Sequence, residues 1–446
     1  MNIDELKLIM KENGIVGAGG AGFPSYAKLD KRADTIILNC AECEPLLKLH
    51  RQVIEKYAYE IITTLDEIAE IIEAREVIIA IKPSYKSAVA QVEGVIKTIT
   101  TNRTIRIGAL PEVYPAGDEV VTIYETTGKV VPPGSIPISI GIIVFNVETI
   151  LNVYRAIHEK EPVTYKYITI TGEVKNPVTL KVPIGITVDE CVKAAGGLTI
   201  EDPVYINGGP MTGSIVNGYD TITKTSNAIL VMPPDQYIVR KRQSKISIDM
   251  KRAMASCCQC EMCTDLCPRN LLGHPIRPHA FMRASTSGAT KEVNTFMETF
   301  YCSQCGLCEM YACFQDLSPK TLIGECKDGL RKNGVKPPKE VKQKEVSTTR
   351  AYRGVSKERL TARLGLEKYD AKAPLVEELV ETDLVKISMR QHIGAPATPC
   401  VAQGDSIECG NVIAAVSAES LGASIHASIS GTVLDVNNDY VTIRRG

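Results

Sequence analysis

The sequence predicts a multidomain α/β protein, and three observations support this fold class. A chain of 446 residues is too long for one hydrophobic core, so about two to four domains are expected. Strand and helix signals alternate over residues 1–162, which is typical of a largely parallel sheet covered by helices on both faces. The cysteines are clustered, since nine of the fifteen lie between Cys257 and Cys313. This clustering favours metal ligation over disulfide bonds.

Composition excludes several classes of partner. The 51 basic residues balance the 52 acidic residues, so neither nucleic acid nor an anionic membrane surface is an expected partner. No apolar run approaches the roughly 20 residues that span a bilayer. The N-terminal stretch MNIDELKLIMKENG contains acidic residues and no apolar core of a signal peptide. We therefore expect a cytoplasmic protein with no membrane span.

The first predicted domain, residues 1–162, has the signals of an α/β layer. A short amphipathic helix over 2–13 precedes the first strand, and a long helical pattern follows that strand over 47–74. Pro83 is suited to the first position of the next helix. Compact apolar runs of strand length predict β-strands at 34–39, 76–82, 104–110 and 141–146.

The rest of the chain divides by composition into four further segments. Short strands and a brief helix before Gly196 indicate a small α+β module, whereas the cysteine-rich region is mostly helical. A charged, apolar-poor stretch with one short helix at 356–365 has the composition of a linker. Strands and turns then indicate a small β-domain. The predicted segments are 163–240, 245–335, the linker 336–380, and 381–446.

A glycine-rich stretch near the start, GAGGAGFP, imitates a dinucleotide fingerprint. Gly17, Gly19 and Gly22 fit G-x-G-x-x-G, but such a fingerprint follows a strand and opens directly into a helix. Here a helix precedes the loop, and the first strand comes after it. The glycines, Gly20 included, still favour an anion, because several backbone N–H groups can point at one phosphate. Lys28, one turn into the next predicted helix, would add positive charge; a merely structural glycine turn is the alternative.

Polar side chains follow the predicted strands at the edge where α/β sheets bind ligands. Asn39, Glu42 and Glu44 come just after the first strand. Carboxylates are poor phosphate ligands, but they accept hydrogen bonds from ribose hydroxyls or a carboxamide; a solvated acidic loop is the alternative. Two further segments carry polar residues near a helix start: Gly117, Asp118 and Glu119 in the first, Asn146 and Thr149 in the second.

Two cysteine runs carry the strongest chemical signal. The C-x2-C-x2-C spacing lets three thiolates bind one [4Fe-4S] cluster from a single loop, and the fourth cysteine usually ligates the other cluster. Two zinc sites are the alternative, although zinc sites usually pair C-x2-C units across a longer gap. We predict two clusters with crossed fourth ligands. Their ligands are Cys257, Cys260, Cys263 and Cys313 for the first, and Cys302, Cys305, Cys308 and Cys267 for the second.

Four motifs in order, G-x-G-G-A-G-F-P-x-x-x-K, N-x-A-E-x-E-P, Y-P-x-G-x-E and N-V-x-T, resemble the flavin- and NADH-binding subunit of respiratory complex I. They resemble the RnfC component of the Rnf electron-transport complex more closely, and this component also has two cysteine runs. The resemblance implies that Gly17 to Gly22 and Lys28 hold the phosphate of FMN, with Asn39 and Asn146 helping to hold the flavin. Further implied cofactor residues are Glu42, Glu44 and Glu119 at the nicotinamide nucleotide, and Gly117, Asp118 and Thr149 nearby.

The remaining segments extend the resemblance. Residues 165–215 resemble the soluble-ligand-binding β-grasp (SLBB) domain of both families, and 381–446 resembles the barrel-sandwich (lipoyl-like) module of RnfC. That module precedes the glycine loop in the Rnf family, whereas here it follows at the C-terminus. Its hairpin SAESLGASIHA has no lysine, so lipoyl or biotin attachment is not expected. The permuted order resembles the cobalamin reductases of propanediol-utilisation microcompartments.

The resemblance implies a function. NADH would pass a hydride to noncovalent FMN, and electrons would leave singly through two [4Fe-4S] clusters to cobalamin, free or held by an adenosyltransferase. No catalytic acid or base is expected. The cobalamin-binding motif D-x-H-x-x-G is absent, which favours transient contact with the corrinoid, inside or beside a bacterial microcompartment. The alternatives are an NADH-linked conduit to a protein redox partner, such as a cluster-bearing shell protein, and a non-catalytic scaffold.

Overall fold

The computed structural model describes residues 1–289, 291–338 and 341–446, and its first region is built on a parallel sheet. The four longer strands lie in the order β3-β2-β1-β5 and are all parallel. The three strands other than the partly exposed edge strand β3 are rich in Val and Ile and largely buried, because helices cover both faces. The strands are β1 (Thr35–Asn39), β2 (Glu76–Ile81), β3 (Thr104–Ala109), the short β4 (Val113–Tyr114) and β5 (Ile142–Asn146).

The helices of this region depart from expectation in two places. The predicted helix over 47–74 is two helices that meet at Tyr57, whose hydroxyl donates to Glu377 Oε2 at 2.6 Å. Pro83 lies in a turn, and the helix after it begins only at Lys86. Tertiary contacts therefore override local helical preference here. The helices are α1 (Ile3–Glu12), α2 (Leu49–Lys56), α3 (Ala58–Ile72), α4 (Lys86–Thr98), α5 (Glu119–Thr127) and α6 (Val147–Tyr154).

Residues 165–232 form a second, mixed sheet with one helix packed on it. The strand order is β7-β6-β10-β8-β9, and only β6 and β10 are parallel among these pairs. Cys191 on the helix is fully buried in the apolar core beneath the sheet. The elements are β6 (Tyr165–Gly172), β7 (Val178–Pro183), α7 (Val188–Ala194), β8 (Val204–Asn207), β9 (Ser214–Val216) and β10 (Ala228–Met232).

The cysteine-rich region is helical, as its composition predicts. Short helices alternate with irregular loops that carry the cysteines, and a small apolar core containing Phe281 and Ile323 holds the helices together. Thr290 of this predicted region lies outside the described residues. The helices are α8 (Tyr237–Gln243), α9 (Ile246–Ser256), α10 (Met262–Asp265), α11 (Pro268–Leu271), α12 (Pro278–Ser287), α13 (Val293–Met297) and α14 (Pro319–Lys332).

Part of the predicted linker 336–380 is structured and packed. Its three elements are β11 (Val355–Ser356), α15 (Lys357–Arg363) and β12 (Leu375–Leu379). β11 pairs with β4, and β12 adds a parallel edge strand to β7. α15 corresponds to the short helix predicted at 356–365, whereas the two strands were not predicted, because a half-exposed edge strand keeps the polar composition that suggested a linker. Lys339 and Glu340 of the predicted linker lie outside the described residues.

The C-terminal β-region packs against the glycine-rich loop. Its two antiparallel sheets have the orders β13-β19-β18-β15 and β14-β16-β17. Ile393 N donates to Gly22 O at 3.2 Å, and the buried Lys224 donates to both Gly14 O and Ser424 O. The strands are β13 (Leu384–Ser388), β14 (Thr398–Pro399), β15 (Ser406–Ile407), β16 (Val412–Ala415), β17 (Ile425–His426), β18 (Gly431–Val436) and β19 (Tyr440–Arg445).

None of the helices in the described ranges has the length and apolar character that crossing a membrane requires.

Candidate functional site

The glycine-rich loop is closed on itself between a helix and the first strand. Gly17 N donates to Phe23 O at 2.9 Å, and Val16 pairs with Pro24 as an isolated bridge. The loop follows α1 and precedes β1, which is the reverse of the Rossmann order. Lys28 is the last residue of a single 3₁₀ turn, Ser25–Lys28, rather than one turn into a longer helix.

The last residue of β5 and a residue in the helix that follows it hold the loop in place. Ala18 N donates to Thr149 Oγ1 at 3.0 Å. A Cβ added at Gly19 would lie 2.3 Å from Asn146 Nδ2 and 3.3 Å from His50 Cε1. Only glycine therefore lets the backbone come this close to the asparagine side chain. Asn146 Oδ1 also accepts from Glu148 N and so caps α6.

A cavity of about 330 Å³ lies between the loop and the carboxyl end of the sheet, a size typical of small-molecule sites. At its edge, Lys28 Nζ is 3.3 Å from Glu119 Oε1 and donates to Val144 O at 2.8 Å. Asn39 Nδ2 donates to Gly117 O at 2.9 Å and ties β1 to the neighbouring loop. The predicted residues that line the cavity are Gly17, Gly19, Gly20, Gly22, Lys28, Asn39, Gly117, Glu119, Asn146 and Thr149.

Two predicted carboxylates do not reach this cavity. Glu42 is buried and accepts from His50 N at 3.0 Å. Glu44 accepts from Met211 N at 2.8 Å and Thr212 Oγ1 at 2.6 Å, and burial raises the pKa of its carboxyl group. Neither carboxylate lines the cavity, and their predicted place at the nicotinamide nucleotide stays a prediction. They hold the loop after β1 in position.

Asp118 joins the first region to the cysteine-rich region. Its carboxylate caps α5 by accepting from Val120 N and Val121 N, and it accepts from Arg269 Nη2 at 2.8 Å. It does not line the cavity, and its predicted place beside the cofactor stays a prediction. From the same loop, the Tyr114 hydroxyl donates to Cys305 O at 2.6 Å. The loop over 114–119 thus contacts the cavity on one side and a cysteine run on the other.

His50 is a site residue that the sequence did not reveal. Its ring Nε2 lies 3.0 Å from Asn146 Nδ2, and its ring Nδ1 lies 3.4 Å from Glu42 Oε2. The His50 ring thus connects Asn146, which faces Gly19, to Glu42 in the loop after β1. A lone histidine within a helical pattern gives no sequence signal of this role, since its partners come from distant segments.

The two cysteine runs have the same local backbone conformation. In each run the residue before the second cysteine and the residue after it have positive φ angles: Gln259 (54°) and Glu261 (65°), then Gln304 (59°) and Gly306 (81°). In each run a glutamine Nε2 donates to the sulfur of the first cysteine, at 3.1 Å and 3.3 Å. These left-handed steps turn the chain around a common centre.

The sulfur atoms form two groups that each draw one cysteine from the other run. Burial, together with the charges of the three neighbouring cysteines Cys313, Cys257 and Cys260, raises the pKa of the Cys263 thiol to about 12. Burial also raises the pKa of the Cys267 thiol, and the nearby Cys305 and Cys302 act in the same direction. We name the outer group, Cys257, Cys260, Cys263 and Cys313, and the inner group, Cys267, Cys302, Cys305 and Cys308.

The donor set fits iron–sulfur clusters. Within the described ranges, no three His, Cys, Asp or Glu side chains converge as the ligands of a single metal ion do. A [4Fe-4S] cluster has one thiolate on each of four iron atoms, so its ligands need not converge on one point. Buried thiols resist ionisation without a cation, and metal coordination supplies the missing positive charge.

The two groups differ in exposure. Cys308 of the inner group is buried, and this group lies beside the loop over 114–119. Cys260 of the outer group is exposed, as is its neighbour Cys258. The side chain of Cys263 lies near that of Cys308, where the groups adjoin. The inner group is thus placed between the glycine-loop cavity and the outer group.

Four family models match the chain in succession. They are the Nuo51 FMN-binding domain over 10–155, the SLBB domain over 167–214, the 4Fe-4S dicluster domain over 256–318 and the RnfC barrel sandwich hybrid domain over 363–445. The predicted multidomain fold class is confirmed by these matches. With the cavity and the cysteine groups, they define an oxidoreductase built from a flavin domain and an iron–sulfur domain.

The relatives identify the family. The chain is 39% identical to cobalamin reductase PduS of Citrobacter freundii, covering 97% of this chain and 95% of that protein. It is 38% identical to PduS of Salmonella typhimurium, covering 100% and 98%. A component of the Na⁺-translocating ferredoxin:NAD⁺ oxidoreductase complex of Acetobacterium woodii is 30% identical, covering 61% and 59%. The chain belongs to the PduS family, and the predicted resemblance is confirmed.

Proposed function

We propose that this protein is an NADH-dependent flavin and iron–sulfur enzyme that reduces cobalamin. The proposal rests on the loop over 114–119, which lies between the glycine-loop cavity and the inner cysteine group. Gly117 and Glu119 line the glycine-loop cavity, whereas Tyr114 and Asp118 contact the region of the inner cysteine group. A cofactor in the cavity and a cluster on the inner group would be separated by little more than this loop.

The residues that line the cavity, and their charges, suit FMN. The glycine loop offers backbone N–H groups to a phosphate, and Lys28 supplies a cation at the same edge. Asn39 and Asn146 provide amide groups for the flavin ring or its side chain. Thr149 holds the loop, and Glu119 is the carboxylate available to a nicotinamide nucleotide. When bound, FMN would accept a hydride from NADH and release electrons singly to two [4Fe-4S] clusters.

The cysteine groups suggest an order for the relay. We assign the inner group and the outer group as the ligand sets of two clusters, with Cys267 and Cys313 exchanged between the runs. The inner group lies beside the flavin cavity, and the outer group lies at the surface with Cys260 exposed. Electrons would therefore pass from the flavin through the inner cluster to the outer cluster, and leave from there.

The acceptor is proposed from the relatives, which carry the name cobalamin reductase. This role places the protein inside or beside a propanediol-utilisation microcompartment. A second candidate function is electron transfer to a protein redox partner, such as a cluster-bearing shell protein. Exposed apolar side chains near the outer group favour it, since Phe314 is 59% exposed and Met254 is 62% exposed.

One experiment separates the two acceptors. Anaerobic NADH oxidation would be measured with cob(III)alamin, with an adenosyltransferase–corrinoid complex, and with candidate protein partners. Cobalamin reduction coupled to NADH consumption is the expected result. Turnover with a protein partner and none with either corrinoid form would instead support the conduit.

Glu119→Gln is expected to slow flavin reduction by NADH about tenfold or more, the loss expected for one charge-assisted hydrogen bond. FMN is expected to remain bound, because the glycine loop and Lys28 are unchanged. Stopped-flow bleaching of the flavin measures the rate. Glu93→Gln, on the exposed face of α4, is the matched control. Loss of FMN, or an unchanged rate, would contradict this role of Glu119.

A further inference from the structure

A second cavity, of about 360 Å³, lies outside the glycine-loop cavity. It is formed where the end of β2 meets α15 and the residues that follow that helix. It shares no lining residue with the glycine-loop cavity. The lining residues that matter are Lys48, Arg51, Lys82, Ser84, Tyr85 and Lys357.

Lys82 is the unusual member of this lining. Its side chain is 1% exposed, and its Nζ has no hydrogen-bond partner in the part of the chain that the structure describes. The nearest carboxylate oxygen, Glu112 Oε2, is 3.9 Å away, and Glu112 Oε1 already accepts from Ser84 N. An ammonium group that is buried without a hydrogen bond carries a large desolvation cost. An anion in the cavity would remove that cost.

Further cations surround Lys82. Lys48 and Lys357 line the same cavity as Lys82. Burial lowers the pKa of the Lys357 amine, and the charges of Lys82 and Lys48 lower it as well, against the opposing effect of Glu42 and Asp370. Lys48 is 8% exposed, whereas its partner carboxylate, on Asp370, is 45% exposed. The other carboxylates of the lining, on Glu112, Glu358 and Glu367, are exposed as well. The amines therefore form the floor of the cavity, and the carboxylates lie at its rim.

Two helices also begin at the cavity. Lys48 precedes α2 and Tyr85 precedes α4, and neither residue caps its helix with a side-chain hydrogen bond. The first turn of α2 is capped from elsewhere, because the Glu42 carboxylate accepts from His50 N, so of these two helix ends only that of α4 has no side-chain cap among the described residues. Such a helix end favours negative charge.

We propose that this cavity binds the phosphate group of a small anionic molecule, with Lys82 Nζ as the central donor and Lys357 and Lys48 beside it. The site is separate from the proposed flavin and nicotinamide sites, so it gives the protein a third ligand. Its volume accommodates a phosphate and a small attached group. The ligand is either inorganic phosphate or a phosphorylated metabolite such as a nucleotide.

The test is calorimetric titration of the flavin- and cluster-loaded protein with inorganic phosphate, and in parallel with pyrophosphate and ATP. Saturable binding is expected, and the tightest probe identifies the source of the phosphate. Lys82→Met and Lys357→Met are each expected to weaken binding about tenfold or more, as for loss of a charge-assisted hydrogen bond. Lys97→Met, on the exposed face of α4, is expected to bind as the parent does.

Three results would overturn the proposal. They are no saturable binding of any probe, equal binding by the Lys82→Met variant with its FMN content intact, and displacement of the probe by NADH. The last result would mean that the cavity belongs to the nicotinamide site. Because binding is read directly, the outcome does not depend on whether cobalamin is the acceptor.

Discussion

Replacing Cys267 by alanine is expected to remove the cluster of the inner group and leave the cluster of the outer group bound. The iron content should fall by about half, from about eight atoms to about four. NADH should still bleach the flavin, because the cavity is unchanged. Reduction of the remaining cluster by NADH, and of any acceptor, should fall about a hundredfold, because the first step of the relay after the flavin is missing. Iron analysis and anaerobic stopped-flow absorbance measure these effects.

The crossed pairing is what this substitution tests. If Cys267 instead ligated the cluster of its own run, its loss would spare the cluster beside the flavin. NADH would then reduce the remaining cluster at the parental rate, which would contradict the exchange of ligands between runs. Cys313→Ala is the reciprocal variant, in which NADH should still reduce one cluster while acceptor reduction is lost. Cys258→Ala, an exposed cysteine next to Cys257, is the control that should leave the iron content unchanged.

Gly19→Ala is expected to lower the affinity for FMN at least about tenfold. The added Cβ would lie 2.3 Å from Asn146 Nδ2 and 3.3 Å from His50 Cε1, so either the loop or the Asn146 side chain must shift. Both line the cavity, so either movement separates the loop N–H groups from the asparagine that would hold the flavin. Flavin content after purification and fluorescence titration of the apoprotein with FMN measure the loss.

The control for this variant is Gly94→Ala. Gly94 lies in α4, and a Cβ there meets no atom within 4 Å, so the substitution is expected to leave FMN binding unchanged. Parental FMN affinity in Gly19→Ala would mean that the glycine loop does not hold the flavin phosphate. Equal loss of flavin in both variants would mean that the effect is a general loss of stability.

Local spacing predicted the parts of the site whose geometry is set within a few residues. The x2 steps between cysteines correspond to the paired positive-φ turns at Gln259 and Glu261, and the second run repeats them at Gln304 and Gly306. The glycine pattern and its position after a helix likewise matched the closed loop before β1. The buried parallel strands were predictable because both faces are apolar, which gives continuous Val and Ile runs.

Features that depend on distant partners were not predictable. Glu44 looks like a ligand-site carboxylate in sequence, but its partner is the loop at Met211. Asp118 is drawn away from the cavity by Arg269, which comes from a different region. Strand β12 has the composition of a linker, and only its pairing with β7 identifies it as a strand. A lysine amine is expected at the surface, but that of Lys82 is buried. Lys82 directly follows β2, and residues of α15, much later in the chain, lie beside it in the same cavity.

The central claim is that NADH electrons enter at the glycine-loop flavin and leave through both clusters. The most direct measurement is an anaerobic titration of the flavin- and cluster-loaded protein with NADH. The flavin is followed by its absorbance band at about 450 nm, and the clusters are followed by electron paramagnetic resonance. The account predicts that NADH bleaches the flavin and then reduces the clusters. A bound flavin that excess NADH does not bleach would contradict it.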